Sequence, residues 1–235
     1  MAYINTPKGR FYFKQKTLYV GIKQINRVQA FENLKILDEV FVRKGVKYSP
    51  FFGTLLGIIR DNDFIEWDED IDLCITKEYE LKMLEALWDL KDVGFELVRY
   101  ERRGLYSVMR KDEYIDFYIL YKLSPTLRCS GGAEFVFDKY LQNTIQWDFK
   151  GIHLAVPKEW DECLTLSYGD WRTPVRYADF QMSPLKRFVE KSKYIIKRNL
   201  PNRLYYYLLH KYHKKSFARF KHKCEQKGIV LDCTF

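Results

Sequence analysis

Two short apolar segments each carry an acid where a strand would bury it. Ile71-Asp72-Leu73-Cys74-Ile75 alternates polar and apolar residues as a strand does, and Tyr114-Ile115-Asp116-Phe117-Tyr118-Ile119-Leu120-Tyr121 is a stronger strand with one carboxylate embedded in it. Burying an ionised carboxylate is costly unless a partner compensates it, and a divalent cation can compensate several at once. Residues two apart on a strand project from the same face, so Asp70 and Asp72 can grip one ion while Asp116 on a neighbouring strand completes the site. Two magnesium ions sharing such carboxylates would clamp the attacking and leaving oxygens of a phosphoryl transfer. The chain is therefore expected to build a sheet that brings these two strands together.

The surrounding periodicity supplies the other layers of a mixed α/β fold. From about Asn26 to Arg43, Val28, Phe31, Leu34, Leu37, Val40 and Phe41 recur at helical steps, and Gly45 ends the run. The segment Val46 to Phe52 reads as extended and enters the glycine-bracketed turn and short helix of Gly53 to Arg60. Glu78 to Trp88 is helical, Phe95 to Tyr100 and Tyr106 to Met109 are strands, and Ser124 to Gly132 is turn-rich and read as a loop over or beside the site. Phe149 to Pro157 reads as a hairpin or edge strand, and Lys158 to Tyr168 as a helix.

At 235 residues and 47% hydrophobic composition the chain can bury a sizeable core with an appendage beside it. No run of eighteen apolar residues is present and the first residues lack the order of a secretory signal, so the expected location is cytoplasmic; peripheral contact at the inner face of the membrane is one reading of the basic tail. Cys74, Cys129, Cys163, Cys224 and Cys233 are odd in number and form no C-x-x-C pair, which suits reduced thiols. His153 and His210 stand alone and are not expected to be ligands.

Charge is unevenly distributed. Residues 184–235 hold 14 Lys+Arg against 3 Asp+Glu, a net of +11, whereas residues 1–183 hold 26 against 28, a net of −2. That change sets an expected boundary near Ser183-Pro184, between a catalytic domain over 1–183 and a basic amphipathic helical tail over 184–235. Leu185, Phe188, Val189, Ile195 and Ile196 share one helical face, with Lys186, Arg187, Lys191, Lys193, Lys197 and Arg198 on the remainder. Arg203 to Lys223 then mixes tyrosines, leucines and phenylalanines with cations. Three readings stay open: a helical cap with a solvated basic face, docking on an anionic membrane where each cation contributes on the order of 1 kcal/mol, or nucleic-acid contact. No nucleic-acid-binding motif is present, so no specific nucleic acid is expected.

Gly53-Thr54 places a small residue and a hydroxyl at a turn, where backbone N–H groups can approach phosphate oxygens closely. A glycine turn, then a strand with D-x-D, then an Asp on a later strand is the layout of nucleotidyltransferases. The string Phe52-Gly53-Thr54-Leu55-Leu56-Gly57-Ile58-Ile59-Arg60, continued by Phe64-Ile65-Glu66-Trp67-Asp68-Glu69-Asp70-Ile71-Asp72-Leu73, closely resembles the LicD family, to which fukutin-like proteins are related. Tyr114-Ile115-Asp116-Phe117, Val156-Pro157-Lys158 and Leu166-Ser167-Tyr168-Gly169-Asp170-Trp171 resemble it too. Where that family usually has a glycine before Phe64 and a proline before Trp67, this chain has Asp63 and Glu66, and Glu69 is the middle acid of the family's triple Asp.

The resemblance implies a nucleotidyltransferase fold and transfer of a phospho-alcohol, such as phosphocholine or ribitol phosphate, from a CDP-linked donor to a glycan, with a lipid-linked acceptor as one form. It implies Asp70, Asp72 and Asp116 as ligands of Mg2+ or Mn2+ and as catalytic residues, and Gly53, Thr54 and Arg60 as donor-phosphate contacts; the alternatives are that Thr54 only caps a helix and that Arg60 only neutralises Asp61 or Asp63 at the surface. Trp67 is either a core residue or a base-stacking platform on the donor side, and Asp68 either orients the ligands or is simply solvated. Tyr168 and Asp170, on a turn, are either structural or suited to hold a sugar acceptor. The alternatives are transfer of the nucleotide itself with pyrophosphate release, and a non-catalytic binding module.

Overall fold

The structure is a computed structural model that describes residues 1–16, 18, 23–175, 188–189, 192, 195–197 and 199–233. The chain runs β1 (Ala2–Thr6), β2 (Gly9–Phe13), α1 (Arg27–Lys44), β3 (Ser49–Pro50), α2 (Phe52–Asp61), β4 (Ile71–Thr76), a single 3-10 turn, α3 (Glu80–Asp92), β5 (Glu96–Glu101), β6 (Leu105–Arg110) and β7 (Glu113–Lys122). It continues through β8 (Leu127–Ser130), β9 (Phe135–Phe137), α4 (Lys139–Gln142), β10 (Thr144–Phe149), β11 (Ile152–Pro157), α5 (Trp160–Tyr168) and α6 (Asn202–Glu225). Helix α1 starts where the sequence indicates: the Asn26 side chain accepts from the Gln29 amide, and Gly45 closes the helix with φ of 62°.

The main sheet is mixed, in the order β3-β4-β7-β6-β5, with β8 on β7 and β9 on β8. Strands β4 and β7 are parallel, with Ile71 opposite Ile115 and Asp72 opposite Asp116, and the remaining pairs are antiparallel. Strand β7 changes partner along one edge. Its first part lies against β6, up to Tyr118, and its end lies against β8 from Leu120. Gly104 makes that change possible: its φ is +84°, the Ile119 amide donates to its carbonyl, and a Cβ there would meet the Tyr121 hydroxyl at 2.9 Å.

Strand β8 lies inside the segment that the sequence presents as a loop. Four residues are too few to show a period, yet Leu127 is fully buried and Arg128 is held between Glu78 and Asp138. Backbone groups at the end of β7, past the reach of β6, provide its hydrogen bonds. The β1–β2 hairpin precedes the segments read from the sequence and packs Phe11 edge-on against Trp88, with ring centroids 5.0 Å apart. The expected hairpin near Phe149 forms as β10 and β11 around Lys150-Gly151, both in the left-handed region.

Burial follows the strand period. Ile71, Leu73 and Ile75 on β4 and Ile115, Phe117 and Ile119 on β7 are buried on the face that packs against α1 and α3, where Phe41 meets Phe117 at 5.4 Å. Asp72 and Asp116 occupy the alternate positions, on the opposite face. All five cysteines are free.

Helix α6 lies along the body. Phe217 and Phe220 pack on Phe135, Cys224 is fully buried, the His213 ring bonds the Gly131 carbonyl at 2.9 Å, and Lys223 and Lys227 donate to the carbonyls of Ser167 and Thr165. The expected boundary at Ser183-Pro184, and much of the first basic segment, lie outside the described residues. Because Phe217 fills space against β9, Phe217→Ala is expected to cost about 3 kcal/mol and to lower the thermal midpoint by roughly 6–12 °C in circular dichroism melts. A change within about 0.5 kcal/mol, the range of a surface substitution, would show that α6 does not depend on this packing.

Candidate functional site

The site is a polar row laid across four strands. Arg99 on β5 pairs with Ser107 on β6, Ser107 with Asp116 on β7, and Asp116 with Asp72 on β4. Opposed residues in a ladder share a face, so the pairing alone sets these side chains in a line. Arg99 Nη2 forms an ion pair with Asp116 Oδ2, and Arg99 Nε donates to Ser107 Oγ at 2.7 Å. Ser107 is fully buried and Asp116 is 2% exposed.

Asp70, immediately before β4, joins Asp72 and Asp116: one carboxylate oxygen from each lies within 4.8 Å of the others. Asp116 Oδ1 is buried and has no hydrogen-bond partner among the described residues, although Oδ2 of the same carboxylate is paired. A buried acceptor of this kind calls for a cation or a donor. Three hard oxygen ligands at this spacing suit Mg2+ or Mn2+, and Asp116 keeps one carboxylate oxygen that no protein donor among the described residues occupies.

Electrostatics point the same way. Burial pushes Asp70 and Asp72 well above the usual carboxylate range, and their mutual repulsion, with that of Asp116 and Asp68, pushes them further. Burial raises Asp116 too, while the Arg99 guanidinium pulls it back. Tyr118 hydrogen-bonds Asp72, and its phenol is pushed up by burial and by the acids around it. Arg99, with Arg103 further off, leaves this group of acids undercompensated without a metal.

Helix α2 begins beside the acids and locks their geometry. The Asp72 amide donates to Thr54 Oγ1 at 2.8 Å, and the Phe51 amide donates to the Asp72 carbonyl at 3.1 Å, so the start of α2 is bonded to β4. Thr54 is 1% exposed, which gives its hydroxyl a positioning task. Gly53 has a separate reason to be glycine: a Cβ there would stand 2.4 Å from Asp68 Oδ2. Phe52 adopts φ of 52°, a costly conformation for an aromatic residue, and meets Tyr118 edge-on at 5.1 Å. Asp68 is half-buried, its Oδ1 accepting from the Glu69 amide, and desolvation raises its pKa.

Other residues singled out in the sequence lie elsewhere. Arg60 sits at the far end of α2, about 10 Å along the helix from Gly53 at 1.5 Å per residue, and its guanidinium makes two bonds to Asp61, at 2.9 and 2.7 Å. Trp67 is partly buried against the core. Tyr168 ends α5, and Asp170 in the following turn accepts from Thr173 Oγ1 at 2.7 Å; Asp170 is not part of the carboxylate group. Arg99, Ser107 and Tyr118 were not singled out as site residues. An arginine inside the strand read over Phe95 to Tyr100 is the available signal, since a buried Asp116 needs a cationic neighbour.

Residues 45–159 match the family described as "LicD/FKTN/FKRP, nucleotidyltransferase domain", an interval that holds every residue of the row and the start of α2. Uncharacterized protein RP689 of Rickettsia prowazekii is 25% identical over 176 residues, covering 71% of this chain and 65% of that protein. Uncharacterized protein RT0683 of Rickettsia typhi is 23% identical over 190 residues, covering 74% and 58%. The chain thus spans less than two thirds of the length of either relative. Among solved structures, ANT(2'')-Ia in complex with adenylyl-2''-tobramycin shares 13% identity at a TM-score of 0.42, over 81% of this chain and 99% of that one. A solution structure of ANT(2'')-Ia gives 13% and 0.44 over 85% and 99%.

The acids make a pH prediction for the metal-free chain. Their folded pKa values lie above the unfolded value near 4, so above that pH the folded chain retains protons that the unfolded chain has released. By linkage, their contribution to stability falls as pH rises through the folded values. In chelator near pH 7.5, Asp72→Asn should raise the thermal midpoint by roughly 2–4 °C, equivalent to about 1 kcal/mol, with a smaller gain near pH 5. A loss of stability at both pH values would contradict the crowded-acid reading.

Proposed function

Residues 45–159 belong to the LicD family, and on that premise we propose that this chain is a glycan-modifying transferase. In this reading it moves a phospho-alcohol group from a CDP-linked donor to a sugar hydroxyl and releases CMP. The observation that carries the proposal is the undercompensated triad of half-buried Asp70 and Asp72 with buried Asp116, whose Oδ1 has no protein partner among the described residues.

The donor set fits a divalent cation, Mg2+ or Mn2+, held by Asp70, Asp72 and Asp116. When bound, such an ion supplies neutralisation of phosphate charge and alignment for in-line displacement. The chain's own residues prepare the place. Thr54 and Phe51 bond the start of α2 to β4 at Asp72, and Arg99 occupies Asp116 Oδ2 and leaves Oδ1 without a protein partner among the described residues. Gly53 admits Asp68 against the start of α2. The first-turn amides of α2 lie beside the triad and can receive donor-phosphate oxygens, helped by the helix dipole. The acceptor oxygen then forms a bond to the distal phosphorus of the donor as the bond from that phosphorus to the CMP oxygen breaks, and the hydroxyl proton is released. Trp67, partly buried against the core, remains a candidate for the donor side, and Tyr168 and Asp170 for the acceptor side.

A panel of CDP-linked alcohols, assayed with Mg2+ or Mn2+ and glycan acceptors, tests this through CMP release. Chelation should abolish turnover. Asp70→Asn, Asp72→Asn and Asp116→Asn should each lower it by roughly two to three orders of magnitude with the fold intact, and Asp68→Asn by less. Arg60→Ala, altering a residue paired with Asp61 at the far end of α2, should change turnover by less than about threefold. Pyrophosphate release from a nucleoside triphosphate, without CMP release from any CDP-linked alcohol, would replace this reading with nucleotidyl transfer.

A further inference from the structure

Helix α6 has two faces with different occupants. Tyr205, Leu209, His213, Ser216, Phe217, Phe220 and Cys224 recur at three- and four-residue steps and are at least partly buried, the stripe seated on the body. The opposite stripe, Leu204, Tyr207, Leu208, Lys211, Tyr212 and Lys215, is exposed. Leu204, Leu208, Tyr207 and Tyr212 are each between 44% and 54% exposed, an unusual amount of apolar surface for one short helix face. Lys211 Nζ stands 4.8 Å from the Tyr207 ring centroid, so cation and aromatic share one patch.

The charge around this face has one sign. From Lys191 to Cys224 the sequence holds 11 Lys+Arg and no Asp or Glu. Among the described residues just before α6, Phe188, Ile195 and Ile196 are exposed, by 68%, 49% and 60%. The patch is also fixed in place. Arg102, in the β5–β6 turn, donates to Asn202 Oδ1 at 2.6 Å and to the Leu200 and Lys197 carbonyls, and its guanidinium lies 4.2 Å from the Tyr205 ring centroid.

We propose that the outward face of α6 docks on the surface of an anionic lipid bilayer. Cations meet the headgroup charge, tyrosines suit the headgroup level, and Leu204 and Leu208 enter the acyl boundary. The aliphatic residues decide between a membrane and a nucleic acid, because a phosphodiester backbone offers them nothing to bury against. No helix among the described residues is long and apolar enough to cross a membrane, so the contact is one of surface docking. The helix rests on β9, whose hairpin with β8 extends from β7, the strand that carries Asp116. Docking would thus hold the carboxylate site beside the lipid surface.

The test uses the full chain and needs no catalytic activity, so its outcome is separate from that of the transferase reading. Vesicles of phosphatidylcholine alone and vesicles with about one third phosphatidylglycerol are sedimented with the protein at low and high salt. Binding is expected only to the anionic vesicles, weakening as salt rises. Lys211→Gln with Lys215→Gln should weaken it by at least about tenfold. Leu204→Ser with Leu208→Ser should weaken it by a similar factor, with thermal midpoints unchanged because these side chains are exposed. Absence of binding to anionic vesicles overturns the proposal. So does an unaltered affinity of the Leu204→Ser, Leu208→Ser chain, or single-stranded RNA binding more tightly than vesicles at equal salt, either of which would point to a purely electrostatic surface.

Discussion

Parallel pairing of β4 with β7 places Asp72 directly beside Asp116, and the rest of the architecture accommodates that pairing. Two carboxylates at adjacent ladder positions repel one another, and burial makes the repulsion stronger. The fold answers with Arg99 at the far end of the same row, with Ser107 between, and with a hydroxyl from Thr54 that receives the Asp72 amide. Each of these stabilises one atom of the group. None serves Asp116 Oδ1, and Asp70 and Asp68 add further acids on the same side. This much uncompensated negative charge is what supports the proposed divalent-cation site.

The opposite face of the sheet supplies the rigidity that such a site needs. Phe117 and its neighbours on β7 are locked against α1, so the strand cannot shift by one residue without exposing a full set of buried apolar side chains. Register on the core face is therefore what fixes Asp116 opposite Asp72. The same logic applies at Gly53 and Phe52, where a close approach and a left-handed aromatic residue are held by packing on Asp68 and Tyr118.

Much of this was legible before the structure. Alternation around Asp72 and Asp116 gave both strands, the three acids were correctly expected to converge, and Asn26 and Gly45 bracket α1 as their chemistry implies. What escaped depends on long-range pairing. Arg99 and Ser107 join the row only through the register of β5 on β6, offset by an irregularity between Leu97 and Arg99, and local periodicity does not encode that offset. Strand β8 is too short to show a period, and Gly104 is needed to hand β7 over to it. Arg60 shows the converse: a guanidinium suited to phosphate lies at the wrong end of its helix for the triad and pairs with the adjacent Asp61. The basic segment was readable as charge, whereas its division into a seated and an exposed face required the packing of α6 on Phe135.

The central claim is that Asp70, Asp72 and Asp116 form one divalent-cation site. Its most direct test is a crystal of the chain soaked in Mn2+ with CDP and measured for anomalous scattering. The account predicts a strong anomalous peak among the three carboxylates, within coordination distance of Asp116 Oδ1, and its loss in Asp116→Asn. A fully occupied peak elsewhere, with Asp116 Oδ1 bonded to a protein donor and the triad empty at saturating Mn2+, would contradict it.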